Sequence, residues 1–263
     1  MGNIGLLLSL PAELRIQILS YVFVQQPDAG FIRSEKSSTL DYHGLVIDNH
    51  YSSASQLNIL STCRQFRRDF TTIAFRNTTF LVRDNCVSLH TLLRRLQSHQ
   101  LASLRRVAFV TSPKRIRELV EWTRYPFDME NVHLEELTVV LYRSEHWHYP
   151  SHYTRDLVAL LRRLEHVKAL KFVRNSAPVS GSFRTWYNRL IGLLLKEDHY
   201  QRYDAPDAPN VEATWWEWRY DYADNTFELI AQSPKPVLPE AEYIGYVAPL
   251  VRRLMSDMEA DAQ

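Results

Sequence analysis

His146, His148 and His152 stand in a His-x-His-x3-His array, with His133 upstream. Imidazole nitrogens at such intervals can take zinc in a tetrahedral array, which would make the chain a metalloprotein or a metal-dependent hydrolase. The intervening Trp147, Tyr149, Pro150 and Ser151 read as loop, and no cysteine or carboxylate is well placed as a fourth ligand. Exposed loop histidines are therefore the preferred reading, and no metal or other cofactor is expected. The carboxylate pairs Glu135/Glu136 and Glu197/Asp198 are adjacent in sequence, so their side chains diverge on a strand or a helix. They do not make the acid/base pair of a hydrolase. Phosphate cradles need glycine-rich loops, and the chain has only 7 glycines, with no Gly-x-Gly-x-x-Gly, P-loop or nucleophile elbow. Cys63 and Cys86 are too few for a disulfide framework and lack metal-type spacing, which fits a reducing compartment. No catalytic residue is assigned, and the chain reads as non-catalytic.

Charge points the same way. The formal net charge of +1 creates no field to attract nucleic acid or an anionic membrane. Many arginines fall in dyads, at 67/68, 94/95, 105/106, 162/163 and 252/253. Guanidinium groups near helix ends complement the dipole and cover apolar surface with their stems, which explains them without a phosphate-binding stripe. With 45% hydrophobic and 23% charged residues, the composition is that of a soluble globular protein. The apolar run Ile4 to Leu10 is short, has no basic leader and meets Pro11, Glu13 and Arg15, which argues against a signal peptide or a membrane span.

The elements that must carry these residues are legible in the periodicity. A helix is expected from Pro11 to Phe23, with Glu13 facing the positive end of its dipole. It has two apolar stripes: Leu14, Ile18, Tyr21 and Val22 on one, and Ile16, Leu19 and Phe23 on the other. An ordinary surface helix needs one stripe, so this helix needs two partners. A second helix is expected over 55–75, where Ile59, Cys63, Phe66, Phe70 and Ile73 recur at helical spacing. Between the two lies an insert at about 25–55, broken by Pro27, Gly30 and Gly44. Its β-prone pieces, Phe31-Ile32 and Leu45 to Ile47, are candidates to pair with a strand at Thr79 to Val82.

Beyond residue 86, helix and strand alternate. Helices are expected at 88–99, 113–124, 153–164 and 183–196, and strands at Leu104–Val110, Leu134–Leu141 and His166–Val173. Aligned on Val107, Leu137 and Leu170, the strands repeat at 30 and 33 residues, which suits parallel βα units. The Asn or Cys of a strict leucine-rich repeat is missing, so the units are leucine-rich-repeat-like at most. Trp216, Trp218, Tyr220 and Tyr222 form one aromatic strand face, Ala223 to Asn225 a turn, and Phe227, Leu229 and Ala231 a returning strand. Such a face can stack a ligand or a base, though packing on a helix is preferred. A Pro-rich link leads to a last helix at 240–258.

Leu10-Pro11-Ala12-Glu13-Leu14 followed by Ile18 to Val22 resembles the opening of an F-box. Leu57 to Arg67, with its Thr62-Cys63-Arg64 and Phe66, resembles the second half, and Phe75 to Phe80 is similar to the fungal F-box-like proteins of unassigned function. The resemblance covers about residues 8–82. It implies a substrate receptor that docks on the Skp adaptor of a cullin–RING ubiquitin ligase and holds an unknown protein substrate through the remaining units. Adaptor contact would then fall to Leu10, Pro11, Leu14, Ile18, Leu60 and Cys63. The chain departs from the family in the insert, which could fold back over the docking face. The expected architecture is an α+β or α/β fold: an F-box-like helical module at 8–82, packed on a βα-repeat domain at 83–263 that ends in a hairpin at 214–231 and a helix. A soluble protein of the cytoplasm or nucleus is expected. The alternative is a stand-alone scaffold whose F-box-like helices are internal core.

Overall fold

The computed structural model describes residues 4–26, 28–34, 43–83, 93–112, 115, 131–144, 146–147, 153–179, 181–211 and 215–261. Apolar β-branched runs build the centre. Strands β3 (Thr79–Val82), β4 (Arg106–Thr111), β5 (Glu136–Leu141) and β6 (Ala169–Val173) lie side by side in parallel, and the hairpin β7 (Trp215–Asp221) and β8 (Thr226–Gln232) completes a sheet of order β3-β4-β5-β6-β8-β7. Val107 stands opposite Leu137, and Leu137 opposite Leu170, the same alignment that the 30- and 33-residue spacing gives. β8 runs antiparallel to β6, and Phe172 and Phe227, partners in that register, stack at 4.4 Å. In the hairpin turn Asp221 accepts from the backbone of Ala223 and Asp224, while Asn225 takes a positive φ of 49° that its short side chain tolerates.

Side chains alternate across the sheet, so each strand serves two layers. Val107, Phe109, Leu137, Val139, Leu170 and Phe172 point into the main core, where they meet helices. These include α6 (Thr154–Leu161), α7 (Phe183–His199) and α8 (Glu240–Asp261), the last packed on α7. Val110, Val140 and Val173 point the other way, and there Leu45 and Ile47 cover them.

The insert is therefore part of the sheet's cladding. The two expected pieces form strands β1 (Phe31–Ser34) and β2 (Gly44–Ile47), which pair with each other and not with β3. The free edge of β3 is closed by side chains instead. Gln25 and Ser53 accept from the backbone N–H groups of Thr79 and Leu81, both at 3.1 Å. Tyr51 and Ser53 donate to the Thr79 carbonyl at 2.6 and 2.9 Å. An unpaired strand edge is a template for unwanted pairing, and these contacts occupy it. Main-chain pairing with β3 would have left Val140 and Val173 uncovered, at about 1.5–3 kcal/mol for each exposed aliphatic side chain.

The first helices are α1 (Ile4–Ser9) and α2 (Ala12–Val22), with Pro11 as the residue before the first turn of α2. The helix expected over 55–75 is three pieces: α3 (Ser53–Gln56), a 3-10 turn (Asn58–Ser61) and α4 (Arg64–Asn77). The break falls at Cys63, whose backbone is extended (φ −156°, ψ 161°) and whose Sγ accepts from the Phe66 N–H at 3.3 Å as a helix cap. Leu60, Phe66, Phe70 and Ala74 nonetheless reach the same core as the sheet. Of the helix expected at 88–99, residues 93–99 are described: Leu93 and Arg94 are helical, the chain turns after them, and a separate short helix, α5 (Ser98–Leu101), follows; 113–124 lies almost wholly outside the described residues. No helix among the described residues is long and apolar enough to cross a membrane.

Candidate partner-binding face

Two residues fix how α2 sits. Leu19 (2% exposed) and Phe23 (5%) join the core. Beside Leu19 on the wheel, Arg15 is drawn down by its guanidinium, which donates to the Leu8 carbonyl at 3.0 Å and to Asp69 of α4 at 3.2 Å. One apolar stripe is thereby spent on the fold. The other is left outside: Leu14 is 47% exposed, Ile18 41%, Tyr21 74% and Val22 60%. Helical spacing puts these four on one continuous strip. Ile16, placed by its position with Leu19 and Phe23, is exposed as well. Large apolar side chains scattered singly on a surface are ordinary, but a contiguous strip of them is an interaction feature.

The described residues of the insert do not lie over this strip. Its apolar residues face Val140 and Val173 behind the sheet, and its polar ones hold the β3 edge. Of the six residues that the F-box resemblance assigns to adaptor contact, Leu14 and Ile18 are open, Pro11 is exposed and Leu10 half-buried. Cys63 is half-buried and occupied as the cap of α4. Leu60 is 8% exposed and belongs to the core, so it offers almost no surface to a partner. Ile16, Tyr21 and Val22 were not on that list; their exposure depends on which way Leu19 and Arg15 turn the helix, which periodicity leaves open.

His146 is exposed, and His148 and His152 lie outside the described residues. His133 packs its ring against His166 at 4.8 Å. Among the described residues no three His, Cys, Asp or Glu side chains converge as for a metal. The adjacent carboxylates diverge as expected. Glu136 accepts from Thr138, while Glu135 faces Arg106 at 3.8 Å. Glu197 accepts from Gln201, while Asp198 collects Arg162 and Tyr243 at 3.2 and 2.9 Å, and Arg202 as well. Burial, helped by the Asp198 charge, pushes the Tyr243 phenol well above the usual tyrosine range.

Arginines of the dyads mostly serve the fold: Arg105 donates to the carbonyls of Ala102 and Leu104, and Arg68 pairs with Asp69. The aromatic strand face packs on α7 and α6, with Tyr187 of α7 against Tyr220 at 5.2 Å and the Trp216 indole donating to the Leu161 carbonyl at the end of α6. Comparison with protein-family models, with characterised proteins and with solved structures gave no match.

Proposed function

We propose that the chain is an F-box-like interaction protein that docks on the Skp adaptor through the outer strip of α2, and that the βα units present a protein substrate. The observation that carries this is the open strip of Leu14, Ile18, Tyr21 and Val22, away from which the described residues of the insert pack. Leu10 to Leu14 and Ile18 to Val22 are also the residues on which the F-box resemblance rests. The burial of Leu60 narrows the proposed contact to the α2 side. The competing reading, a stand-alone scaffold with these helices as core, draws on Leu19, Leu60 and Phe66, which share one cluster with the sheet. A pull-down of the full chain with purified Skp adaptor separates the two. Capture by the wild type, lost in a folded Pro11→Ser, Leu14→Asp double variant, supports docking. Absence of capture by the wild type overturns it and leaves the scaffold reading.

A further inference from the structure

We infer that the cleft between α7, the start of the hairpin and α8 is a binding site for a small organic anion with a flat ring. The cleft has a volume of about 270 Å³, just below the usual range of ligand pockets, which suits a compact molecule. Its walls combine two chemistries. Tyr187, Trp218, Tyr220 and Tyr222 supply an aromatic side. Arg184, Arg219 and Arg253 supply cations, against a single lining carboxylate, Asp257.

The cations are not equivalent. Arg184 is held by Asp257 at 2.7 Å and lies 5.2 Å from the Tyr222 ring centre, so it is a fixed part of the wall. Arg219 is bound to Glu228 at 2.7 Å across the hairpin. Arg253 makes no ion pair or hydrogen bond among the described residues, and it stands near enough to the buried Tyr187 phenol to oppose the rise that burial imposes there. The cleft therefore carries a surplus of positive charge beside aromatic faces.

A second observation points to a ligand. Asn188 belongs to the same wall and is 2% exposed, yet its Nδ2 has no hydrogen-bond partner. A buried donor without an acceptor is costly, and the large majority of such groups find a partner. The acceptor that would satisfy it is an oxygen of a carboxylate or phosphate, the groups that Arg253 also attracts. The ring of the same molecule would lie against Trp218 or the tyrosines, where guanidinium and aromatic planes already stack. This site is independent of the α2 strip, and loss of adaptor docking would leave it standing.

The test is calorimetric titration of the full chain with phenyl phosphate and with phenylacetate, with inorganic phosphate and benzyl alcohol as controls. Binding of at least one aromatic anion, weaker by roughly tenfold or more for inorganic phosphate and the neutral ring, is the expected result. Which of the two anions binds more tightly assigns the acid group as phosphate or carboxylate. Arg253→Ala, a change at an exposed position, should lower that affinity by roughly tenfold, with partial recovery in Arg253→Lys. Asn188→Leu should also weaken binding without unfolding the chain, because it removes an unmatched donor from the interior. Failure of both aromatic anions to bind the wild type at millimolar concentration overturns the proposal. So does equal binding by wild type and Arg253→Ala, or equal binding of phenyl phosphate and inorganic phosphate with no binding of phenylacetate.

Discussion

The orientation of α2 decides the proposed function, and a pair of substitutions five residues apart reads it directly. Leu19 is 2% exposed and Leu14 47% exposed on the same helix. Full burial of a leucine is worth about 1.5–3 kcal/mol, and a fully buried leucine cut to alanine costs about 2–5 kcal/mol once the cavity is included. Leu19→Ala should therefore destabilise the chain by about 3 kcal/mol. Leu14 has roughly half its surface in water, so Leu14→Ala should cost about 1 kcal/mol or less. Ile18→Ala, at 41% exposure, should resemble Leu14→Ala. Urea unfolding followed by tryptophan fluorescence gives the differences as shifts of midpoint at constant slope. Equal losses at Leu14 and Leu19 would mean that the outer strip is packed within the chain, and the docking proposal would lose its footing. A changed slope in either variant would point to altered compactness and remove that variant from the comparison.

Other outcomes follow from the same contacts. Asp198→Ala leaves Arg202, whose side chain is 6% exposed, and Arg162 without their shared carboxylate, and should cost about 3–5 kcal/mol, read as a fall in Tm. Burial raises the phenols of Tyr153, Tyr187 and Tyr243, so the folded state keeps protons that the unfolded chain releases above about pH 10. Stability is then full below pH 10 and falls above it by about 1.4 kcal/mol per pH unit for each of these groups. Phenolate absorbance should show a late, cooperative step coincident with unfolding, and a gradual titration of every tyrosine near pH 10 would contradict this. Asn175→Ala should loosen the β1–β2 hairpin, because its side chain accepts from the Ile47 N–H at 3.1 Å and donates to the Leu141 carbonyl at 3.3 Å. Faster amide exchange at Ile47 would register it, and unchanged exchange would show that the anchor is elsewhere.

The parallel strands and their register were readable because the pattern repeats. Val107, Leu137 and Leu170 recur within short apolar runs of strand length, and the helix-length connections between them are what parallel neighbours require. The aromatic hairpin was readable for a similar reason, since Trp216 to Tyr222 alternates strictly and ends at Asp221–Asn225, residues suited to a tight turn. The double apolar character of α2 also followed from the residue order alone.

What the order of residues left open was the choice between faces. Both stripes of α2 are apolar, and a helical wheel cannot say which one the fold takes. That was settled by contacts distant in sequence: Arg15 with Asp69, and Leu19 with the core. Spacing over 55–75 fits one helix as well as three pieces, because a turn of 3-10 helix and a cap at Cys63 keep Leu60 and Phe66 pointing inward. The insert has too few residues per strand to announce its partner, and its place was fixed by uncovered valines on the back of the sheet and an open β3 edge. The anion cleft joins residues 184–188, 218–222 and 250–257, which share no local pattern. Local periodicity sufficed for the sheet strands and their repeat. Which apolar and charged faces remained unspent was left to long-range packing, because that packing supplies each element's neighbours.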